Sequence, residues 1–462
     1  WRPERADLPV RFAAELDKAA FSLKSLAEAA GLSYREQRAD SAEVAEALKL
    51  KPRVVSDPLT EERLAREVCV GAQLQTSLGS VSIDLSDVAT HERLRFRVAL
   101  ALRTLHLGAP PLITVSSDRP LISPAEAVLD YQNEGLFAPG GADPYEAARA
   151  WLVAHGFALE DLNKDPEAPA QSGDALLLFQ PRRDASAIYG ALFEELNRGG
   201  RALLAAQEHE LLARRESDND HAFSYWPRPL YPDLDTSPFK ELGLTLDPRP
   251  LFDSLRGTAL IPTRSERPGQ PPQTLLTPTS ETFCLKVLGV GSYGELVLAG
   301  ANALSADEAI LKDRGLELTP WLYASDEAWM HAWEGGDLSS AALTGSPDDL
   351  ANLIPESAPI LAADLRGEFP SCERDGEDKL RLLQGSEKSE GLLTLLGSSA
   401  PFRSEHLHAP GTDHAQLLLH SIARLCLEPA LVELLAHREA PRGFEQPSPV
   451  ERFTWRLLLI GG

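Results

Sequence analysis

The chain has 462 residues, of which 43% are apolar, which is material for about two to four domains and a sizeable core. Its formal net charge of −24 argues against a nucleic-acid surface, which needs basic patches to replace phosphate counterions, and against broad docking on anionic lipid. The four cysteines, Cys69, Cys284, Cys372 and Cys426, lie far apart without metal or redox spacing and read as small buried thiols.

Residues 8–117 read as a first α/β unit. Val10 to Leu16 is expected as a strand, Ala19 to Ala30 as a helix stopped by Gly31, and Leu32 to Gln37 as a second strand. Ser41 to Leu48 is a helix with Ser41 at its N-cap. Glu67 to Ser77 and Ser80 to Leu85 alternate around Leu78-Gly79 as a hairpin does. Thr90 to Leu107 carries one apolar stripe through Leu94, Val98, Ala101, Leu102 and Leu105, and Leu112 to Val115 is read as the closing strand. Prolines and the pair Gly140-Gly141 mark 118–142 as a linker with one short helix. Asp143 to His155 is a helix with Asp143 as N-cap, Pro144 in its first turn and Gly156 as its stop.

The next stretch organises the chain. Asp174 to Phe179 is an apolar run of strand length. Ala185, Ile188, Leu192 and Leu196 then share one helical face, Gly199-Gly200 supplies a left-handed stop, and Ala202 to Ala206 is a second apolar run. This is a βαβ crossover, with parallel strands apolar enough to be covered on both faces. Gln180, Arg182, Arg183 and Asp184 fall beyond the carboxyl end of its first strand, where open α/β sheets bind ligands. Two guanidinium groups beside free helix N–H donors suit a carboxylate, phosphate or glycan acid; the alternative is a solvated turn, with Asp184 capping the helix and the arginines pairing locally.

Further on, 257–280 is rich in Pro and Thr and is expected to wind over the surface. Gly289-Val-Gly-Ser-Tyr-Gly294 fits G-x-G-x-x-G. A kinase glycine loop would need a downstream lysine strand, H-R-D and D-F-G, and none follows. A dinucleotide site would need a helix directly after the glycines, whereas Glu295 to Leu298 reads as a strand and Asn302 to Ser305 as a turn. A glycine-rich β-hairpin remains. No cysteine sits in a G-x-C-x-G elbow. His406, His408, Asp413 and His414 lack an established metal spacing and read as a loop entering a helix, Asp413 to Leu427.

The chain begins at Trp1 and its one methionine is Met330, which reads as a piece of a longer protein. No apolar run reaches the length of a membrane span. Trp1, Phe453 and Trp455 resemble interfacial anchors near both ends, with Leu457 to Ile460 opening an apolar run.

The string from Asp174 to Gln207 resembles the core of the GldG-like family, auxiliary subunits of bacterial ABC transporters first met in gliding motility. So do "LELTPWLYASDEAW" ahead of Met330, Gly367-Glu-Phe-Pro370, and Leu392 to Leu396 followed by Gly397-Ser-Ser-Ala-Pro-Phe402. The family's acidic residues in that last turn are replaced by Ser398 and Ala400, which counts against a metal or ligand role for it. The resemblance runs colinearly over nearly the whole chain. It implies an α/β protein with a thioredoxin-like N-terminal domain (1–117) and a linker (118–142). A larger doubly wound domain would follow (143–436), amidotransferase- or flavodoxin-like with a mainly parallel sheet, and then a membrane-proximal tail (437–462). It implies no cofactor, no catalysis and no nucleic acid. Its partners would be a permease and an ATPase at the periplasmic side of the inner membrane. The rivals are an amidotransferase-like or hydrolase-type enzyme and a free-standing carbohydrate- or protein-binding module.

Overall fold

The computed structural model describes residues 10–29, 31–50, 52–55, 66–85, 91–117, 129, 143–162, 173–181, 186–215, 223–230, 232, 234, 238–253, 259–265, 273–279, 285–288, 295–325, 328–331, 333, 335–336, 338–339, 357–374, 380–383, 389–409 and 411–436. The linker 118–142 and the tail 437–462 fall almost wholly outside these residues.

The first described element is a helix, not a strand: α1 spans Val10–Ala29 without a break. Ala13, Leu16 and Ala19 recur at helical spacing and are all buried, and that period overrides the short apolar run read as a strand. Residues 32–37 join no ladder, contrary to the expected second strand. Helix α2 (Ser41–Leu48) is capped by Asp40, whose Oδ1 accepts from Glu43 N at 2.8 Å, while the expected cap Ser41 instead accepts from Cys69 N. Strands β1 (Arg53–Val55) and β2 (Arg66–Val68) pair antiparallel, and β3 (Gly71–Thr76) and β4 (Gly79–Asp84) form the expected hairpin. Helix α3 (His91–Leu107) then serves two cores. Leu94 and Ala101 pack with α1 and the hairpin, while Phe96 and Leu100 pack into the main body.

Strand β5 (Leu112–Ser117) does not close the first unit. It lies inside the large sheet, parallel to and between β6 (Ala158–Asp161) and β7 (Ala175–Phe179). Helix α4 (Glu146–Ala154) starts three residues later than expected. Asp143 Oδ1 accepts from Tyr145 N at 2.8 Å and so shapes the turn ahead of the helix. The organising unit is as read: β7, α5 (Ser186–Asn197) and β8 (Arg201–Ala205), with β7 and β8 adjacent and parallel and Gly199 left-handed at φ 83°.

Beyond it, β9 (His209–Arg215) and β10 (Phe223–Pro229) pair antiparallel, and β11 (Leu244–Phe252) returns to the large sheet. Residues in 257–280 form the antiparallel pair β12 (Ala259–Ser265) and β13 (Gln273–Thr279), where a winding segment was expected. Strands β14 (Leu285–Leu288) and β15 (Glu295–Leu298) make the expected hairpin, whose glycine loop 289–294 lies outside the described residues. The expected turn at Asn302 is strand β16 (Asn302–Ala306). Asn302 is fully buried and finds its partners inside, so turn propensity yields to tertiary hydrogen bonds. The rest comprises α6 (Glu308–Asp313), β17 (Leu316–Tyr323), β18 (Trp329–Met330), β19 (Leu338–Ser339), β20 (Ile360–Glu368), β21 (Cys372–Arg374), β22 (Leu380–Leu382), β23 (Glu390–Leu396), α7 (His414–Cys426) and α8 (Pro429–Ala436).

Among the described residues the large sheet has ten strands in the order β18-β11-β16-β20-β23-β8-β7-β5-β6, with β17 also on β20. From β23 to β6 neighbours are parallel; β20 joins β23 antiparallel, and the strands beyond it are antiparallel too. The fold is therefore mixed α/β. Alternation along β7 sends Ala175, Leu177 and Phe179 to a core with α4 and α7, and Leu176 and Leu178 to a core with α5. Both faces of the parallel half are covered, which is why its strands read as unbroken apolar runs.

Candidate functional site at the carboxyl edge of the parallel strands

Strands β7 and β8 share a sequence habit: "LLLFQ" and "LLAAQ" each run apolar and finish in glutamine. Gln180 follows Phe179 in the left-handed region at φ 44°, a conformation that costs a non-glycine residue about 1–2 kcal/mol. Its backbone N–H donates to Ala205 O at 2.8 Å, so the turn stays fastened to β8. The side chain, 3% exposed, turns inward. Nε2 donates to Gln207 O at 2.9 Å, and Oε1 accepts from Gln207 N at 2.9 Å and from Ser399 Oγ at 2.7 Å.

Gln207 repeats the device one strand over. Its Oε1 accepts from Ser398 Oγ at 2.9 Å and from Ser399 N and Ala400 N at 3.1 Å each; Nε2 donates to His209 O at 2.6 Å. Three donors on one atom and carbonyls around the other fix the orientation of the amide. Asn302 extends the chain of amides: Oδ1 accepts from Glu208 N, and Nδ2 donates to Asp247 O and Arg249 O. Three buried carboxamides thus tie the ends of β7, β8 and β23 to the starts of β9 and β16. Burying them is tolerable only because their polar atoms are matched.

Along the same edge, at the ends of β5 and β6, Arg149 gathers Asp143 (Nε to Oδ2, 2.6 Å), Ser117 Oγ (2.9 Å from Nη2) and Asp161. This cluster faces solvent more than the amides do. Of the residues singled out from sequence, Gln180 stands at the centre of the network. Arg182, Arg183 and Asp184 lie outside the described residues, as do Trp1, Phe453 and Trp455. Ser398 Oγ and Ala400 N supply two of the donors to Gln207. Ser399, Gln207 and Asn302 were missed; the paired terminal glutamines were the available signal.

The histidines diverge. His414 Nδ1–H donates to His406 O at 2.8 Å and Nε2 accepts from Val297 N at 3.0 Å, which fixes its tautomer and joins α7 to β15. Burial pushes its pKa down to about 4. His408 instead packs edge-on against Trp151, with ring centroids 4.9 Å apart. Among the described residues no three His, Cys, Asp or Glu side chains converge as metal ligands. Cys69 and Cys426 are buried, with thiol pKa values raised by burial; Cys284 lies outside the described residues.

Comparison with known protein families and with curated proteins gives no match. Among solved structures the chain is similar to the mmIFT52 N-terminal domain, at 10% identity and a TM-score of 0.33, over 69% of this chain and 98% of that one. Similarity at that level fixes neither fold detail nor function.

Proposed function

We propose that this chain is the extracytoplasmic region of a GldG-like auxiliary subunit of a bacterial ABC transport system, a binding or scaffolding part without chemistry of its own. In this reading it stands on the periplasmic side of the inner membrane, anchored through segments flanking it, and its partners are the permease and the ATPase. The finer fold belongs to the same reading: a thioredoxin-like N-terminal domain before a doubly wound, amidotransferase-like one.

The observation that supports it most is the occupant of one position. In hydrolases and amidotransferases built on such sheets, the residue just past a central parallel strand is left-handed, leads into a helix, and carries the nucleophile. Here that residue is Gln180, whose carboxamide atoms are committed to Gln207 and Ser399. A carboxamide held in this way fastens loops; it attacks nothing. The edge is thereby a fastened platform for recognition, with Arg182 and Arg183 following Pro181 in the sequence.

The test is cell fractionation of the full-length protein followed by affinity purification. It should sediment with membranes and bring down the permease and ATPase, and Arg182→Ala with Arg183→Ala should weaken that recovery without lowering stability. Recovery as a soluble monomer free of transporter subunits would refute the assignment, and steady turnover of amide or ester substrates would favour the enzyme reading.

A further inference from the structure

The N-terminal layer leaves a strand edge uncovered. Among the described residues β3 pairs with β4 alone, in an unbroken antiparallel register. Leu85 N donates to Val70 O at 2.9 Å, so Val70 and Leu85 form a hydrogen-bonded pair, and the alternation continues through Ala72 and Leu74. Gln73 and Gln75 therefore direct their own N–H and C=O groups away from β4. Neither meets a backbone partner on that side among the described residues. Natural sheet edges are blunted by charge, proline or a bulge, and Gly71-Ala-Gln-Leu-Gln-Thr76 carries none of these.

That edge borders a groove of about 540 Å³, in the size range of ligand sites. Leu16, Leu23 and Ala27 of α1 line it, together with residues 32–37, residues 70–75, and Val98 and Leu102 of α3. Leu23, Leu74 and Val98 are only partly buried and Leu102 is 39% exposed, so apolar surface is left uncovered. Arg35 and Glu36 are the charged residues of the lining among the described residues, and their charges balance. Such walls prefer neither an anion nor a cation. They suit a neutral ligand that brings its own main-chain donors and acceptors and an apolar side chain at every second position, which describes an added β-strand.

We propose that the β3 edge takes up an extended, uncharged peptide segment of a partner protein as a third strand. Its backbone pairs with Gln73 and Gln75, and its alternate apolar side chains enter the groove lined by α1 and α3. The inference draws on neither the glutamine edge nor the transporter reading, so each can fail alone.

The experiment is fluorescence anisotropy, with the whole chain titrated into a labelled, end-blocked Thr-Val-Thr-Val-Thr-Val peptide. Two isomers of that peptide carry N-methyl groups on alternate amides, one in each phase. Only alternate amides of an added strand face its neighbour, so one isomer should bind about ten-fold more weakly than the parent peptide and the other about as well. Gln73→Pro removes one outward N–H at an edge position where proline is tolerated, and should weaken binding about five-fold with an unchanged circular dichroism spectrum. Gln73→Ala keeps that N–H and should bind as the parent chain does. If the proline variant does not fold, the two isomers decide with the parent chain alone. Absence of saturable binding, equal binding by the two isomers, or equal effects of alanine and proline in folded protein would overturn the proposal. So would a dimer of this chain that Gln73→Pro dissociates and the peptide does not, since a second copy would then be the occupant.

Discussion

Replacing Gln180 tests the amide network directly. Gln180→Ala removes the partner of Gln207 N–H, of Gln207 C=O and of the Ser399 hydroxyl. The hydroxyl can rotate to another acceptor, but the two backbone groups cannot, and Gln207 is 2% exposed. A buried polar group left unmatched costs about 1–3 kcal/mol, so the variant should lose roughly 3–5 kcal/mol once the side chain's own packing is included. Backbone conformation supplies an internal control. Glycine relieves about 1–2 kcal/mol of left-handed strain at φ 44° and loses about 0.4–1 kcal/mol through the unfolded chain. Gln180→Gly should therefore be about 0.5–1 kcal/mol less damaged than Gln180→Ala. Urea titrations followed by circular dichroism and by tryptophan fluorescence measure both, provided the two transitions coincide. An alanine variant within about 0.5 kcal/mol of the parent, or a glycine variant worse than the alanine one, would refute the account.

Three other perturbations have worked expectations. His414 has a folded pKa of about 4 against 6.5 for the free side chain, so its contribution is complete above pH 6.5 and is lost as pH falls toward 4. The loss reaches about 3 kcal/mol and should disappear from the pH–stability curve of His414→Gln. Gly397→Ala would set a Cβ 2.1 Å from Asn302 O, forcing the turn after β23 away from the first residue of β16; about 1–3 kcal/mol should be lost in thermal or urea melts, and an unchanged midpoint would contradict the packing. Asp364 takes hydrogen bonds from Trp321 Nε1 and Thr394 Oγ1 and pairs with Arg424. Asp364→Ala should cost about 2–4 kcal/mol, discounted for the partial exposure of Arg424, and a double-mutant cycle with Arg424→Met should show coupling.

The parallel half of the sheet was legible because burial on both faces leaves a strong mark, unbroken apolar runs flanked by Gly and Pro. The β7–α5–β8 unit followed directly. Local patterning failed where the partner was distant. Nothing in "LITV" says that Leu112–Ser117 pairs with Ala175–Phe179 instead of the hairpin before it. Asn302 carries turn propensity in sequence and becomes a strand residue through contacts with Asp247, Arg249 and Glu208. Helix α1 was half missed because an apolar run can be apportioned to either period until its whole length is considered. At the site, Gln180 was placed by its position after a strand. Gln207 and Ser399 needed the third dimension, since their hydrogen bonds join segments far apart in the chain.

The place of β23 has a consequence in time. It joins the parallel half of the sheet to the antiparallel half, with β8 on one side and β20 on the other, and among the described residues it is the last strand of the sheet to be synthesised. Arg201 waits on the ribosome, or in transit, until Leu392 has been made. Through that interval β8 offers an open, apolar edge to any extended chain nearby, and closing so long a loop is slow. A nascent chain halted before Glu390 holds both halves and nothing to join them. Such chains should collect with holding chaperones or in the insoluble fraction, and release from that state should coincide with emergence of β23.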